Sequence, residues 1–149
     1  MSSLTLVDRA ADDAYLLTIR RAGWWRRFFA ALIDGILLSV VQAILRVFLG
    51  EAAGIGLGLL ISIAYFTYFH GSTGQTPGDT VLSIRVVDLR DGTGRPIGYG
   101  RAFIRWLGSI VSAIPLFLGY FWMLWDSEKQ TWHDKMAGSA VVDLNDRVR

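Results

Sequence analysis

The sequence predicts an all-α membrane protein. It has a two-span helical hairpin, a third kinked or re-entrant helical segment, and a small cytoplasmic β element. Three observations carry this. The 149-residue chain is 52% hydrophobic and only 19% charged, whereas a soluble domain carries about 25% charged residues. The apolar residues collect in three runs, 28–49, 52–69 and 103–125. Two β-branched segments, Ile84–Leu89 and Ala140–Leu144, echo one another between and after those runs. The organisation expected is an N-terminal cytoplasmic segment at 1–21, a membrane domain over 22–144, and a tail at 145–149.

Residues Met1 to Ile19 carry Asp8, Asp12 and Asp13 and no apolar run. A secretory signal needs a basic start followed by an apolar stretch, so none is expected. Tyr15–Ile19 reads as a short strand or an amphipathic patch.

The first run, Phe28 to Leu49, is about 22 residues, enough to cross roughly 30 Å of hydrocarbon. Trp24 and Trp25 suit the headgroup level, with Arg20, Arg21, Arg26 and Arg27 beside them. Gly50-Glu51 is a tight break. The second run, Ala52 to Phe69, ends in Tyr65, Phe66, Tyr68 and Phe69 as another aromatic belt. Gly50, Gly54, Gly58 and Ser62 recur every four residues, a small-residue stripe that lets another helix backbone approach closely.

A polar stretch follows from His70 to Asp79. It lacks the Gly-Lys-Ser/Thr ending of a phosphate loop, and Thr76-Pro77-Gly78 reads as a turn. After Ile84–Leu89, Asp91-Gly92-Thr93-Gly94 is a second turn signal. The echo in Ala140–Leu144 reads as a pairing partner rather than a repeat.

The third run, Phe103 to Trp125, holds Arg105 near its start and Pro115 in its middle. Proline removes a backbone donor and kinks or breaks a helix. Two readings stay open. In one, the segment turns near Pro115–Gly119 and returns, leaving the C-terminus on the side it started from. In the other, it is a kinked full crossing. Arginines crowd the first flank and the linker, while Gly50-Glu51 has only Arg46 nearby. The positive-inside rule therefore places the N-terminus and the linker in the cytoplasm.

Composition also excludes. The chain has no cysteine and two histidines, which argues against disulfides, thiolate sites and multi-His metal centres. No metal or cofactor is expected. A formal charge of +2 is no case for nucleic acid, and the lipid bilayer is the expected partner.

Asp34 is the most informative position. An ionisable group within a span is costly unless it has a partner or water. It lies about two turns past Arg27 on the same helix face. Asp34 is therefore either an ion or proton site or part of a buried ion pair or cap, and Arg27 is the partner of Asp34 or of Asp134. Arg27 and Arg105 either join that network or snorkel. His133-Asp134 suggests a proton relay, but adjacent residues rarely face one reacting atom, and no enzyme activity is expected.

Taken together, the motifs resemble the RDD family of small bacterial membrane proteins. They are Arg27-Phe28-Phe29-Ala30-Ala31-Leu32-Ile33-Asp34; Gly74-Gln75-Thr76-Pro77-Gly78 with Ile84–Asp88; Arg105 with Pro115–Tyr120; and Gln130-Thr131-Trp132-His133-Asp134-Lys135-Met136-Ala137-Gly138 with Val141-Val142. The resemblance spans roughly Ala22 to Asp143. It implies that Arg27, Asp34 and Asp134 are the namesake residues, with Asp126 a weaker choice for the third. It implies a charge network that also takes in Arg105, His133 and Gln75. Asp79 departs from the family, which typically has Lys there. The expected location is the bacterial inner membrane. The expected function is transport, in the form of proton-coupled exchange of a monovalent cation by an oligomer. The alternative is a non-catalytic scaffold or partner subunit docking through the Gly50/Gly54/Gly58/Ser62 stripe.

Overall fold

The computed structural model describes residues 6–90, 92–115 and 117–148. Asp91, in the second turn, and Leu116, in the third run, lie outside them.

The first helix, α1, is Leu6–Tyr15. The expected strand at Tyr15–Ile19 does not form: turn hydrogen bonds from Leu16, Leu17 and Thr18 to Asp13, Ala14 and Tyr15 carry the chain off the helix. The amphipathic reading of this patch holds, because Leu16 and Ile19 are buried and Tyr15 is exposed.

Helix α2 is Trp24–Leu49 and α3 is Glu51–Ser72. Helix α2 starts before its apolar run, taking in Trp24, Trp25, Arg26 and Arg27, and α3 starts at Glu51, just ahead of its own. Both are long and apolar enough to cross a membrane. Gly50 joins them at φ 81°, a conformation that costs glycine little. The Gly54 position faces the Arg46 backbone, where an added Cβ would sit 2.8 Å from Cα. Gly58 faces Gln42, whose amide donates to the Gly54 carbonyl at 2.9 Å. The neighbour of the stripe is therefore α2 of the same chain, and Gly50 belongs to the turn.

Helix α4 is Pro77–Val81 and strand β1 is Ile84–Asp88. Helix α5, Tyr99–Ala113, is followed by the four-residue α6, Leu118–Phe121, and a 3-10 turn at Trp122–Leu124. The two parts are bent by 108°. Pro115 lies at the break, and Gly119 lets α6 close on α5, where a Cβ would meet that of Ser112 at 2.6 Å. Helix α7, Trp132–Ala137, leads into β2, Ser139–Asp143.

The strands pair antiparallel, with Val86 opposite Val141. The chain leaves β1 and, after the bent pair α5–α6, returns to β2 in the same small sheet. The Ala22 amide donates to the Val141 carbonyl at 2.9 Å, and the Val86 amide to Gly74 at 2.8 Å. The start of α2 and the end of α3 thus meet the sheet too.

Two strands alone are marginal in water; here both faces are covered. Ile84, Val86 and Val141 pack with Ala22, Ala30 and Ala102 toward the helices. Val87, Ala140 and Val142 pack with Leu16 and Ile19 on the other face. Burying a Val or Ile side chain stabilises by roughly 1.5–3 kcal/mol.

The echo between the strands is more than a pairing signal. Gln75, Thr76, Asp79, Val86, Val87, Asp88 and Leu89 recur at a constant offset as Gln130, Thr131, Asp134, Val141, Val142, Asp143 and Leu144. Their contacts recur as well. Thr76 with Asp79 and Thr131 with Asp134 form capping boxes that start α4 and α7. Gln75 Nε2 donates to the Ile84 carbonyl at 2.9 Å, and Gln130 Nε2 to Ser139 at 2.8 Å. The strand ends are pinned alike: Arg101 grips Asp88 with two nitrogens, and Arg26 reaches Asp143 at 3.4 Å.

Candidate functional site: a charged cavity at the sheet end of the helices

Helix α2 turns Arg27, Ala30 and Asp34 toward α4 and α7. Helix α5 buries Ala102, Arg105, Gly108 and Ser112 along one stripe. Between these faces lies a cavity of about 580 Å³. Its apolar walls include Trp24, Phe28, Phe66, Trp106 and Phe121. Its polar lining includes Arg27, Asp34, His70, Asp79, Arg105, Thr131 and His133.

Asp134 organises one wall. It is fully buried. Its Oδ2 accepts from Arg27 Nη2 at 2.6 Å and from the Thr131 amide at 2.9 Å, and Oδ1 accepts from Arg105 Nη1. Arg105 Nη1 also reaches Ser139 Oγ at 3.4 Å, and Arg27 Nη1 donates to the Lys129 carbonyl at 3.3 Å. One carboxylate thus joins two guanidiniums from two helices. Such a buried network is tolerated only when its partners are in place.

Asp34 stands on the other wall and does not pair with Arg27. Its partners are neutral donors: Tyr65 Oη at 2.7 Å, Thr76 Oγ1 at 2.6 Å and the Gly78 amide at 2.9 Å. Among the described residues no cation lies within ion-pair distance of it. Gly78 makes this possible, since a Cβ there would press on Asp34 Oδ1 at 2.8 Å and on the Ala30 carbonyl. Of the two partners expected for Arg27, the structure selects Asp134 rather than Asp34; residues about two turns apart on one helix are roughly 10 Å apart along the axis. Arg27 meets α7 before it can fold back along α2.

Asp79 shares this wall. Its Oδ2 lies 3.2 Å from His70 Nε2 and accepts from the Thr76 amide at 3.0 Å. Burial works against its charge, but the His70 hydrogen bond and charge, with Thr76, hold the carboxyl below the ordinary range. His133 sits against Tyr120, ring centroids 4.9 Å apart, with Nδ1 3.3 Å from Ser112 Oγ. Burial, then the nearby charges of Arg105, Arg27 and His70, push its pKa well below 6.5. The Asp134 carboxylate goes to the arginines, not to this imidazole.

Of the residues expected in the network, Arg27, Arg105, Asp134 and His133 come together, and Asp34 lines the same cavity from the far wall. Gln75 does not join them, because its amide ties the loop to β1. Tyr65, His70, Thr76, Asp79 and Thr131 were missed. The Thr-x-x-Asp spacing, read as a capping box in both copies, was the available signal for three of them.

The RDD family profile matches residues 21–138. The proline-rich antigen homolog of Mycobacterium tuberculosis is 34% identical over 87 residues, 58% of this chain and 35% of its own length. The proline-rich antigen of Mycobacterium leprae is 35% identical over 103 residues, 63% of this chain and 41% of its own. The uncharacterized protein YxaI of Bacillus subtilis is 27% identical over 149 residues, 81% of this chain and 96% of its own. The chain spans well under half the length of the mycobacterial relatives. No solved structure matches it.

Proposed function

We propose, on the premise that this chain belongs to the RDD family of membrane proteins, that it serves transport, with the cavity as its solute compartment. One observation carries the reading: a cavity of about 580 Å³ holds several ionisable side chains among helices fit to cross a membrane. Intramembrane ionisable groups are costly and mark solute and proton routes. The volume suits a small solute.

The finer form of the reading is proton-coupled exchange of a monovalent cation. Asp34 is the group that would take the cation or the proton, with the Asp79–His70 pair beside it on the same wall. The protein acts in the bacterial inner membrane with its N-terminus cytoplasmic, as the arginine distribution favours. Three short segments scarcely enclose a path, which favours an oligomer. It is not an enzyme in this reading. The scaffold alternative loses its docking stripe, because Gly54 and Gly58 already face α2.

The test is flux in sealed proteoliposomes under an imposed pH gradient, with Na⁺, K⁺ or Li⁺ added in turn. Cation-dependent collapse of the gradient is expected, lost in Asp34→Asn and restored in Asp34→Glu. A stable gradient with folded, oriented protein under all three cations sinks the exchange reading.

A further inference from the structure

Arg105 lines the cavity and makes its protein hydrogen bonds through one nitrogen. Its side chain is 8% exposed. Its Nη1 faces Asp134 and Ser139. Among the described residues nothing accepts from its Nε or Nη2. The Nε–Nη2 edge of a guanidinium is the fork that receives an oxyanion side-on.

The surroundings favour an anion at that edge. Arg27 stands beside Arg105, and the two share the carboxylate of Asp134, so two guanidiniums meet one carboxylate on this wall, with the Asp79 charge acting on both from across the cavity. The other carboxylates are engaged on the far wall, Asp34 by Tyr65, Thr76 and Gly78, and Asp79 by His70. The remaining surface is apolar. Trp24 stacks on Phe121 at 5.4 Å, joining α2 to α6. Phe28 and Phe121 line the cavity and are partly exposed, and Phe28 meets the exposed rings of Trp25 and Phe29, which lie outside the cavity lining. The aromatic lining is thus continuous with exposed rings on α2.

We propose that the cavity binds the phosphate of an amphiphile, taken side-on by Arg105 with Arg27 beside it. The apolar chain leaves between α2 and α6 along Phe28 and Phe121. This goes beyond the transport reading, since it requires binding and not flux. Free phosphate shares the headgroup chemistry but gains nothing from the aromatic walls.

The full chain in neutral detergent is titrated with phosphatidylglycerol, with diacylglycerol of the same chains, and with inorganic phosphate. Retention is read by native mass spectrometry. Phosphatidylglycerol is expected to be retained at least tenfold more tightly than either comparator. Arg105→Lys keeps a charge opposite Asp134 but removes the fork, and should weaken retention at least tenfold. Ser109→Phe, which fills the cavity without touching the ion pairs, should abolish it. Leu37→Ala, on the exposed face of α2, should leave it unchanged.

Equal retention of phosphatidylglycerol and diacylglycerol overturns the proposal, as does undiminished binding in both cavity variants. Inorganic phosphate binding as tightly as the lipid overturns the amphiphile assignment and leaves the free anion as the ligand. Lipid binding without flux keeps this site and sinks transport; flux without lipid binding does the reverse.

Discussion

Arg27 and Asp134 stand 107 positions apart in the chain, yet Arg27 Nη2 lies 2.6 Å from Asp134 Oδ2. The contact ties the first helix of the hairpin to the short helix that precedes the last strand. Arg105 reaches the other oxygen of the same carboxylate from the bent third segment. Three elements are held at one point.

Removing that point should be costly. Asp134→Ala leaves two buried guanidiniums without their anion, and the loss expected is about 3–5 kcal/mol. Arg27→Gln should lose less, because Arg105 still holds Asp134. Thermal unfolding in detergent, followed by size exclusion, reads the order. Equal melting of Asp134→Ala and wild type would remove the network from the account of stability.

Asp34 is held by neutral donors rather than by a cation. Tyr65→Phe removes one of them and should lower stability by about 1 kcal/mol. Thr76→Ala removes both an Asp34 donor and the cap of α4, and should cost about 1–2 kcal/mol. A double-mutant cycle between Tyr65 and Asp34 should return a coupling energy. A coupling of zero would mean that the hydroxyl does not support the carboxylate.

Gly54→Leu tests whether the stripe belongs to the hairpin. The added side chain meets the Arg46 backbone, so the isolated chain itself should unfold at a lower temperature. If Gly54→Leu leaves the monomer's stability intact and only breaks an oligomer, the stripe serves a partner instead.

His133 makes stability depend on pH. Its folded pKa lies well below 6.5, so the folded state stays neutral where the unfolded state takes up a proton. Stability is therefore held above about 6.5 and falls as pH drops below it. His133→Gln should flatten that fall. An unchanged pH profile in the variant would assign the dependence to another group.

Part of the molecule was legible in the sequence because its cause is local. The runs from Phe28 and Ala52 are apolar for long enough to span, and Pro115 between glycines breaks the third. Ile84–Asp88 and Ser139–Asp143 are β-branched enough to pair. The repeat of Gln-Thr-x-x-Asp before each strand was also in view, but its meaning depended on where the two copies meet.

The sequence by itself determined the two paired strands, the break at Pro115, the two helices fit to span a membrane and the charge at Asp34 within the first of them. Hydropathy, helix breaking and capping act over a few residues. The tertiary structure alone decided the partners. Arg27 turns to Asp134 rather than Asp34, Asp34 takes Tyr65, Thr76 and Gly78, and Arg105 is left with one edge toward the cavity. A buried charge is satisfied by whichever donor or acceptor packing brings within about 3 Å. That choice follows from the antiparallel sheet, which draws the hairpin, the linker and the bent third segment to one end.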